Sequence, residues 1–428
     1  MIRGRSTPSA NASRPARRYR NPPRSFPGSK SRRTDRSLRS IELGPAAPAD
    51  VVRALDFHTR RLGIPGPAAL IGDWLDTDAV IAPSISLRSG VDIPDDPAEF
   101  WFGYRSFPDR ADRGPLPPSV GGTTDSVLHL DRTGSWWWTS LSGHACPDWV
   151  RASLVEHHSH GWSVNWQPPP RRPHVEAIAL CLDAIRAGEV YQACVCTRFS
   201  GHMVGSVANY FADGVAVTRP RKSALLQGDW GSVASFSPES YLRRRGNVVA
   251  SSPIKGTLPI DLDPQLLRDS AKDVAENIMI VDLVRNDLGR VAVPGTVMVT
   301  ELLDVHPAPG VWHLVSTVQA TTTPGVTNAE LIEATFPPAS VTGTPKVRAQ
   351  ELLSAWEPFP RGLYCGAVGV VSPTAGLDLN VAIRTVQITP SGAAHLGVGG
   401  GITIDSDPLA EWQECLDKAA AIIGLQPT

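Results

Sequence analysis

The sequence predicts an α+β fold in which strands dominate and helices lie against them. Three observations carry this reading. Short runs rich in Val, Ile, Thr and aromatic residues recur along the chain, clean strand–helix–strand alternation is scarce, and no internal repeat is visible. With 428 residues, 42% of them hydrophobic, the chain can bury a large core and has room for two domains or one large one. No apolar run approaches the roughly 18 residues of a membrane span. The N-terminus is Arg-rich without the apolar middle of a secretory signal, so a cytoplasmic protein is expected.

Taken in order, residues 1–40 hold 12 of the 41 Lys+Arg against one acid, Asp35, among many Ser and Pro. Such a stretch has too little apolar surface to fold and is expected to be disordered. It leaves the body with a charge of about −12. A basic arm can bind polyanions, but nucleic acid is not the expected partner. Residues 50–166 read as a mixed region of short strands: DVVRALDFHTRRLG is a helix ended by Gly63, and ALIGDW and AVIAPSISL are strands. The aromatic groups Phe100, Trp101, Phe102, Tyr104 and Trp136, Trp137, Trp138 read as core or sheet-face material. Pro-rich QPPPRRP, Gln167 to Pro173, reads as a linker.

The region 173–426 begins with a helical stripe of Val175, Ile178, Ala179, Leu182 and Ile185 that stops at Gly188. A strand follows through Val190 to Phe199, then strand-like SVASFS, SYLRRR and NVVASS. One helix is expected over 264–287, two more around 328–335 and 345–355, and strands at GAVGVVS, DLNVAIRTVQI and HLGVGGGITI. The last helix runs from Asp407 as N-cap, with Pro408 at its first position, to Gly424. Six cysteines without metal-ligand spacing read as reduced, mostly buried thiols, with Cys194 and Cys196 on one strand face.

Only six of the 41 basic residues are Lys, and four of them, Lys255, Lys272, Lys346 and Lys418, fall in the C-terminal part. An amine whose proton can be removed cannot be replaced by a guanidinium. Lys255 lies on a Pro/Gly-bounded turn just before a helix carrying Asp273 and Glu276 at i,i+3, and Glu411 and Glu414 repeat that spacing in the last helix. Each pair alone fits a solvated helix face; two such faces brought together would offer the oxygen-rich surroundings that suit Mg²⁺. Gly399, Gly400 and Gly401 read either as a strand bend or as bare backbone open to a ligand carboxylate. His313, Glu239 and Arg384 are polar groups among apolar neighbours, where burial demands a partner or tunes an acid or base.

These pieces occur in an order that resembles the chorismate-utilising enzymes from about Pro173 to Gly424. The blocks are GEVYQ, SPES, PIKGT, KDVAENIMIVDLVRNDLGR, HLVS, FPPASVTGTPKVRA, YCGAVG, IRT and GVGGGITIDSDPLAEWQE. The resemblance implies two large antiparallel sheets packed as a sandwich with outer helices, and residues 50–166 look like the variable N-terminal part of that fold. It implies that Glu276 and Glu411, supported by Asp273 and Glu414, hold Mg²⁺, which grips the ring carboxylate of chorismate. Tyr364, Arg384 and the backbone of Gly399 to Gly401 would meet the enolpyruvyl carboxylate, with Gln192, Thr342 and Lys418 as further substrate contacts.

Within the family the chain is most similar to the aminodeoxychorismate branch. Anthranilate synthases read PIAGT where this chain has PIKGT, and Ala cannot attack a substrate, so Lys255 is expected to form a covalent intermediate. To attack, it must be neutral, which burial or a nearby cation would favour. Glu239 is the expected general acid, with His313 assisting proton traffic. Gln192 stands where water-adding relatives carry a Lys and cannot act as a base. Cys194 and Ala339 depart from the Asn and Gly that the family often has. No glutamine amidotransferase domain is visible, so ammonia is expected from a separate subunit or from solution. The rival readings are an anthranilate synthase component and a non-catalytic chorismate-binding scaffold.

Overall fold

Alternation along the strands decides the layering. On Ala68–Trp74, Ala69 and Ile71 pack into one hydrophobic cluster while Ala68, Leu70 and Trp74 pack into another. On Phe100–Arg105, Phe100, Phe102 and Tyr104 share that second cluster and Trp101 faces a third. A strand covered on both faces must be apolar on both, so these runs read as nearly continuous rather than alternating.

The computed structural model describes residues 39–109 and 114–427. The expected disordered segment 1–40 lies outside them except for Arg39 and Ser40, which instead begin a strand, Arg39–Gly44, paired with Trp136–Ser140. Among the described residues the strands form two antiparallel sheets of 12 and 10 strands. The larger runs from Arg39–Gly44 through Ala68–Trp74, Lys222–Gly228 and Gly231–Ser237 to Thr385–Ile388, Ala393–Ile402 and Gln192–Gly205. The smaller runs from Ile254–Pro259 through Val311–Thr321, Val248–Ser252, Ser240–Arg245 and Gly376–Val381 to Ala367–Ser372 and Phe100–Arg105. Ala68–Trp74 pairs with Lys222–Gly228 and Phe100–Arg105 pairs with Ala367–Ser372, so regions 50–166 and 173–426 share both sheets.

Helices cover the outer faces. Pro48–Leu62, Val207–Thr218 and Pro408–Ile423 supply Val51, Leu55, Tyr210, Phe211 and Ile422 to the cluster on the larger sheet. Ala271–Gly289 and Asn328–Thr335 supply Ile280, Val284, Leu331 and Ile332 to the cluster on the smaller one. The expected sandwich with outer helices is therefore present.

The predicted helix ends hold where a cap defines them: Gly63 adopts φ 64°, and the Asp407 side chain accepts from the backbone N–H of Leu409 and Ala410. Three details differ. The helix expected over 264–287 is broken at Ser270, which is extended and caps Asp273, giving Gln265–Asp269 and Ala271–Gly289. The helix Arg171–Arg186 starts inside the supposed linker, and its buried stripe is His174, Ala177, Ile178, Cys181 and Leu182 rather than Val175 and Ala179. Arg384 precedes its strand, at φ 50°, instead of lying within it.

A buried charge pair joins the sheets. Lys222 of the larger and Asp378 of the smaller are both fully buried, with Nζ to Oδ1 at 2.5 Å, and Asp378 also accepts from Leu75 N at 2.9 Å. The Lys222 ammonium sits over the Trp74 ring at 4.3 Å. Removing one partner of such a pair leaves an uncompensated charge. Asp378→Ala is expected to lower the unfolding free energy by about 3 kcal/mol, measured by urea denaturation; a loss below about 1 kcal/mol, the scale of a surface pair, would show that the pair does not hold the sheets together.

Candidate active site

The floor of the site is a strand pair with its side chains removed on one side. Gln192–Gly205 runs antiparallel to Ala393–Ile402 in a register that sets Cys194 opposite Gly401, Cys196 opposite Gly399 and Arg198 opposite Gly397. A Cβ at Gly397 would stand 2.2 Å from the Tyr364 ring, and one at Gly399 would stand 2.7 Å from the Cys196 sulfur. A Cβ at Gly401 would lie 3.0 Å from Lys255 Nζ, 3.3 Å from Glu276 Oε2 and 3.5 Å from Gln192 Oε1. At Gly400 it would meet Glu411 Oε2 at 2.9 Å. The glycines are thus required by close approach, and they bring most of the expected site residues to one strand.

Lys255 lies on the edge strand Ile254–Pro259, its side chain 11% exposed, with Nζ 3.9 Å from Glu276 Oε2. This neighbour is a carboxylate, not a cation. Glu276 and Glu411 are brought together through Lys272, whose Nζ donates to Glu411 at 2.9 Å and lies 4.0 Å from Glu276. Ser406 donates to the same Glu411 oxygen at 2.6 Å. Burial pushes the Glu276 carboxyl above its usual range; Lys255 and Lys272 pull it back, and Glu411 and Asp273 push it further up. Carboxylates that repel one another and gather an ammonium between them are a donor set for a hard cation.

The second acid of each pair stands further back. Asp273 packs against Gly256, whose φ is 87° and where a Cβ would meet its carboxyl carbon at 3.2 Å. Glu414 pairs with Lys418 at 2.6 Å; burial raises its carboxyl, but Lys418, Lys272 and Lys255 outweigh this and hold it low. Lys418 also donates to Gly399 O at 2.9 Å, so it braces the glycine strand. Thr342 donates to Pro338 and Ala339 carbonyls, and its own carbonyl takes the Cys194 N–H at 2.7 Å, which again fixes the floor. Gln192 differs: its Oε1 is buried without a partner. An orphaned acceptor facing Lys255 and Gly401 is a place for a donor from a bound molecule.

His313 lies on a strand of the smaller sheet, whereas Glu239 and Arg384 sit in links between the two sheets. Glu239 fills the turn between Gly231–Ser237 and Ser240–Arg245 and is 4% exposed. Burial raises its carboxyl to about 7, against the pull of a Ser340 hydrogen bond and of Lys255 and Arg384. His313 pairs across from Thr257, with Nδ1 3.1 Å from its Oγ1; burial and Arg384 push it down to about 4, so it is neutral at physiological pH. Burial lowers the Arg384 guanidinium while Glu239 supports it. Tyr364 is buried over Gly397 with its hydroxyl pushed far up by burial, a neutral donor throughout.

Sequence reasoning gave no role to Lys272, though its i,i+4 spacing to Glu276 was a signal. It also missed the Arg361–Glu357 pair, 2.6 Å apart, whose Arg361 donates to Cys194 O at 2.7 Å, and the brace from Lys346 to Asp287 at 2.5 Å. All six cysteines are free and buried, as expected, and Cys194 and Cys196 share a face with sulfurs 3.9 Å apart.

Residues 135–424 match the family described as chorismate binding enzyme. The chain is 42% identical over 246 residues to aminodeoxychorismate synthase component 1 of Klebsiella aerogenes, covering 56% of this chain and 54% of the relative. It is 39% identical over 262 residues to anthranilate synthase component 1 of Thermus thermophilus, covering 59% and 56%. The matches thus span about half the length of these relatives. The menaquinone-specific isochorismate synthase of Escherichia coli superposes with a TM-score of 0.68 at 19% identity over 91% of this chain and 94% of that one, a likeness of fold.

Because the folded value of Glu239, about 7, exceeds its ordinary 4.5, its protonated form stabilises the fold fully below about pH 4.5, and this contribution is lost as pH rises to 7. Glu239→Gln, which cannot ionise, is expected to gain stability relative to wild type by on the order of 3 kcal/mol between about pH 4.5 and 7.5. Denaturation at the two pH values measures this, and parallel changes in both proteins would contradict the assignment.

Proposed function

As this chain belongs to the chorismate binding enzyme family, we propose that it is the synthase component of an aminodeoxychorismate synthase. It would convert chorismate and ammonia to 4-amino-4-deoxychorismate through a covalent adduct on Lys255. The observation that carries the reading is the placement of the Lys255 amine, largely buried, against the bare Gly401 backbone and beside Glu276. Anthranilate chemistry needs no nucleophile at that position, and the PIKGT stretch, an edge strand rather than the turn that its Pro and Gly suggested, supplies one.

Glu276 and Glu411, with Asp273 and Glu414 behind them, would hold Mg²⁺. The ion supplies positive charge for the ring carboxylate of chorismate. Arg384 and the N–H groups along Gly399 to Gly401 meet the enolpyruvyl carboxylate, a guanidinium fork being suited to two oxygens. Tyr364 donates its neutral hydroxyl. The Lys255 lone pair bonds to ring C2 as the C4–O bond breaks and the ring double bonds shift, and Glu239 delivers its proton so that the oxygen leaves as water. Ammonia then bonds at C4 as the C2–Nζ bond breaks and returns its pair to Lys255. Lys255 keeps both of its protons in the adduct and departs as a neutral amine, and the proton that the new C4 ammonium sheds would pass by way of His313, neutral beside Thr257, to restore Glu239.

Gln192 offers no base, which disfavours addition of water at C2. Ammonia would come from a glutamine amidotransferase subunit, in keeping with relatives named as component 1. The product would serve p-aminobenzoate and folate formation or a p-aminobenzoate-derived metabolite. Among the described residues no helix is long and apolar enough to cross a membrane, in keeping with a cytoplasmic enzyme.

With chorismate, Mg²⁺ and ammonium, the purified chain is expected to form aminodeoxychorismate, and Lys255→Ala to lose roughly 1,000-fold or more of that rate while gaining some 2-amination. Product identification by chromatography and mass spectrometry decides. Anthranilate or salicylate from the wild type, chorismate binding without turnover, or unchanged output from Lys255→Ala would each overturn the reading. Glu276→Gln is expected to raise the Mg²⁺ concentration needed for half-maximal rate by at least about 10-fold.

A further inference from the structure

A second cluster of ligand-bearing side chains lies on elements that the candidate active site does not use. Four of the chain's 11 histidines gather there: His58 on Pro48–Leu62, and His157, His158 and His160 in the segment that precedes Trp162–Gln167. His58 Nε2 and His158 Nε2 approach the same oxygen, Glu156 Oε2, at 3.0 and 2.9 Å. The three ligand atoms lie within 4.8 Å of one another. We propose that His58, Glu156 and His158 bind one Zn²⁺ ion, which fastens segment 155–161 to the helix Pro48–Leu62.

Geometry carries the proposal first. Tetrahedral zinc with ligands at about 2.0–2.1 Å has ligand–ligand edges of about 3.3 Å, so the two observed separations need to open only slightly to admit the ion. The donors match as well: two imidazoles and a carboxylate, with a fourth position left for water, are a zinc set rather than a magnesium one. Both rings are already oriented. His58 is buried, edge-on to His158 and tilted 6.3 Å from Trp149, while His158 stacks on Phe57 at 3.7 Å and 11°. His157 turns to Asp50, 3.7 Å away, and is not part of the set.

The segment is otherwise held near its C-terminal end, where Ser206 N donates to Gly161 O at 3.2 Å and the His160 ring stacks on Phe57 at 5.9 Å. From Val155 to Gly161 no side chain is buried, and Val155 is 76% exposed. The backbone bond from His160 N to Asn209 Oδ1, 3.0 Å, ties one end. Glu156 and His158 tie the middle, and replacing two shared hydrogen bonds by one ion would convert that contact into a cross-link between distant parts of the chain.

The test uses the full chain, stripped with chelator and titrated with Zn²⁺ in excess Mg²⁺, so that the carboxylate site is filled. Expected are one Zn²⁺ per chain by calorimetry and a Tm higher by about 3 °C at 100-fold excess over Kd. Co²⁺ in place of Zn²⁺ should give the intense visible bands of a tetrahedral site. His158→Gln and Glu156→Gln, both at partly exposed positions, should each weaken binding at least about 100-fold and abolish the bands. Absent binding in the wild type, or binding and bands that persist in either variant, would overturn the proposal.

Discussion

The bare backbone along Gly397 to Gly401 is the constraint on which the site depends. Tyr364, Cys196, Lys255, Glu276 and Glu411 occupy volume that side chains on this strand would fill. Because opposing residues in an antiparallel pair point to the same face, the glycines also clear space above Cys194 and Cys196. Charges from three separate elements can therefore converge on a strand in the middle of a sheet, where water is scarce and each must find a partner. Lys272, Lys418 and Ser406 are partners found there, and they fix the carboxylates in place.

Protonation in the site is divided by environment rather than by residue type. Glu239 is buried and its carboxyl is raised to about 7, whereas the half-exposed Glu414 is lowered. Burial and neighbours both separate them: Glu414 has Lys418 at 2.6 Å, whereas the backbone N–H that reaches Glu239, from Ile254, is a long 3.5 Å away. His313, pushed down by burial and Arg384, completes a set in which an acid holds its proton and a base is free at the same pH.

Much of this was legible in the sequence because local chemistry specified it. Asp407 with Pro408 marked the last helix, alternating apolar runs marked the strands, and the i,i+3 spacing set each acidic pair on one helix face. Less legible was anything that depends on a partner far along the chain. Ser270 carries a cap signal, but it lies inside a run whose composition reads as one helix. Arg384 reads as a strand residue because its left-handed backbone is imposed by the turn around it. Lys222 looked unremarkable until Asp378, 156 residues on, came to face it. Lys418 also donates to the carbonyl of Gly399, and the Thr342 carbonyl accepts from Cys194 N, bracing contacts in the floor of the site that no local pattern announces.

The sharing of both sheets by early and late strands has a kinetic consequence. Ala393–Ile402 and Gln192–Gly205 are neighbours in the larger sheet, and Phe100–Arg105 waits for Ala367–Ser372 in the smaller. During synthesis Ala68–Trp74 and Phe100–Arg105 thus emerge with strand edges whose partners, Lys222–Gly228 and Ala367–Ser372, are made much later. Contacts of such sequence separation close slowly, and open edges in the interval are templates for association with other chains. For this architecture the hazard of misassembly is greatest on the ribosome, and it ends only when the strand that carries the glycines has been released.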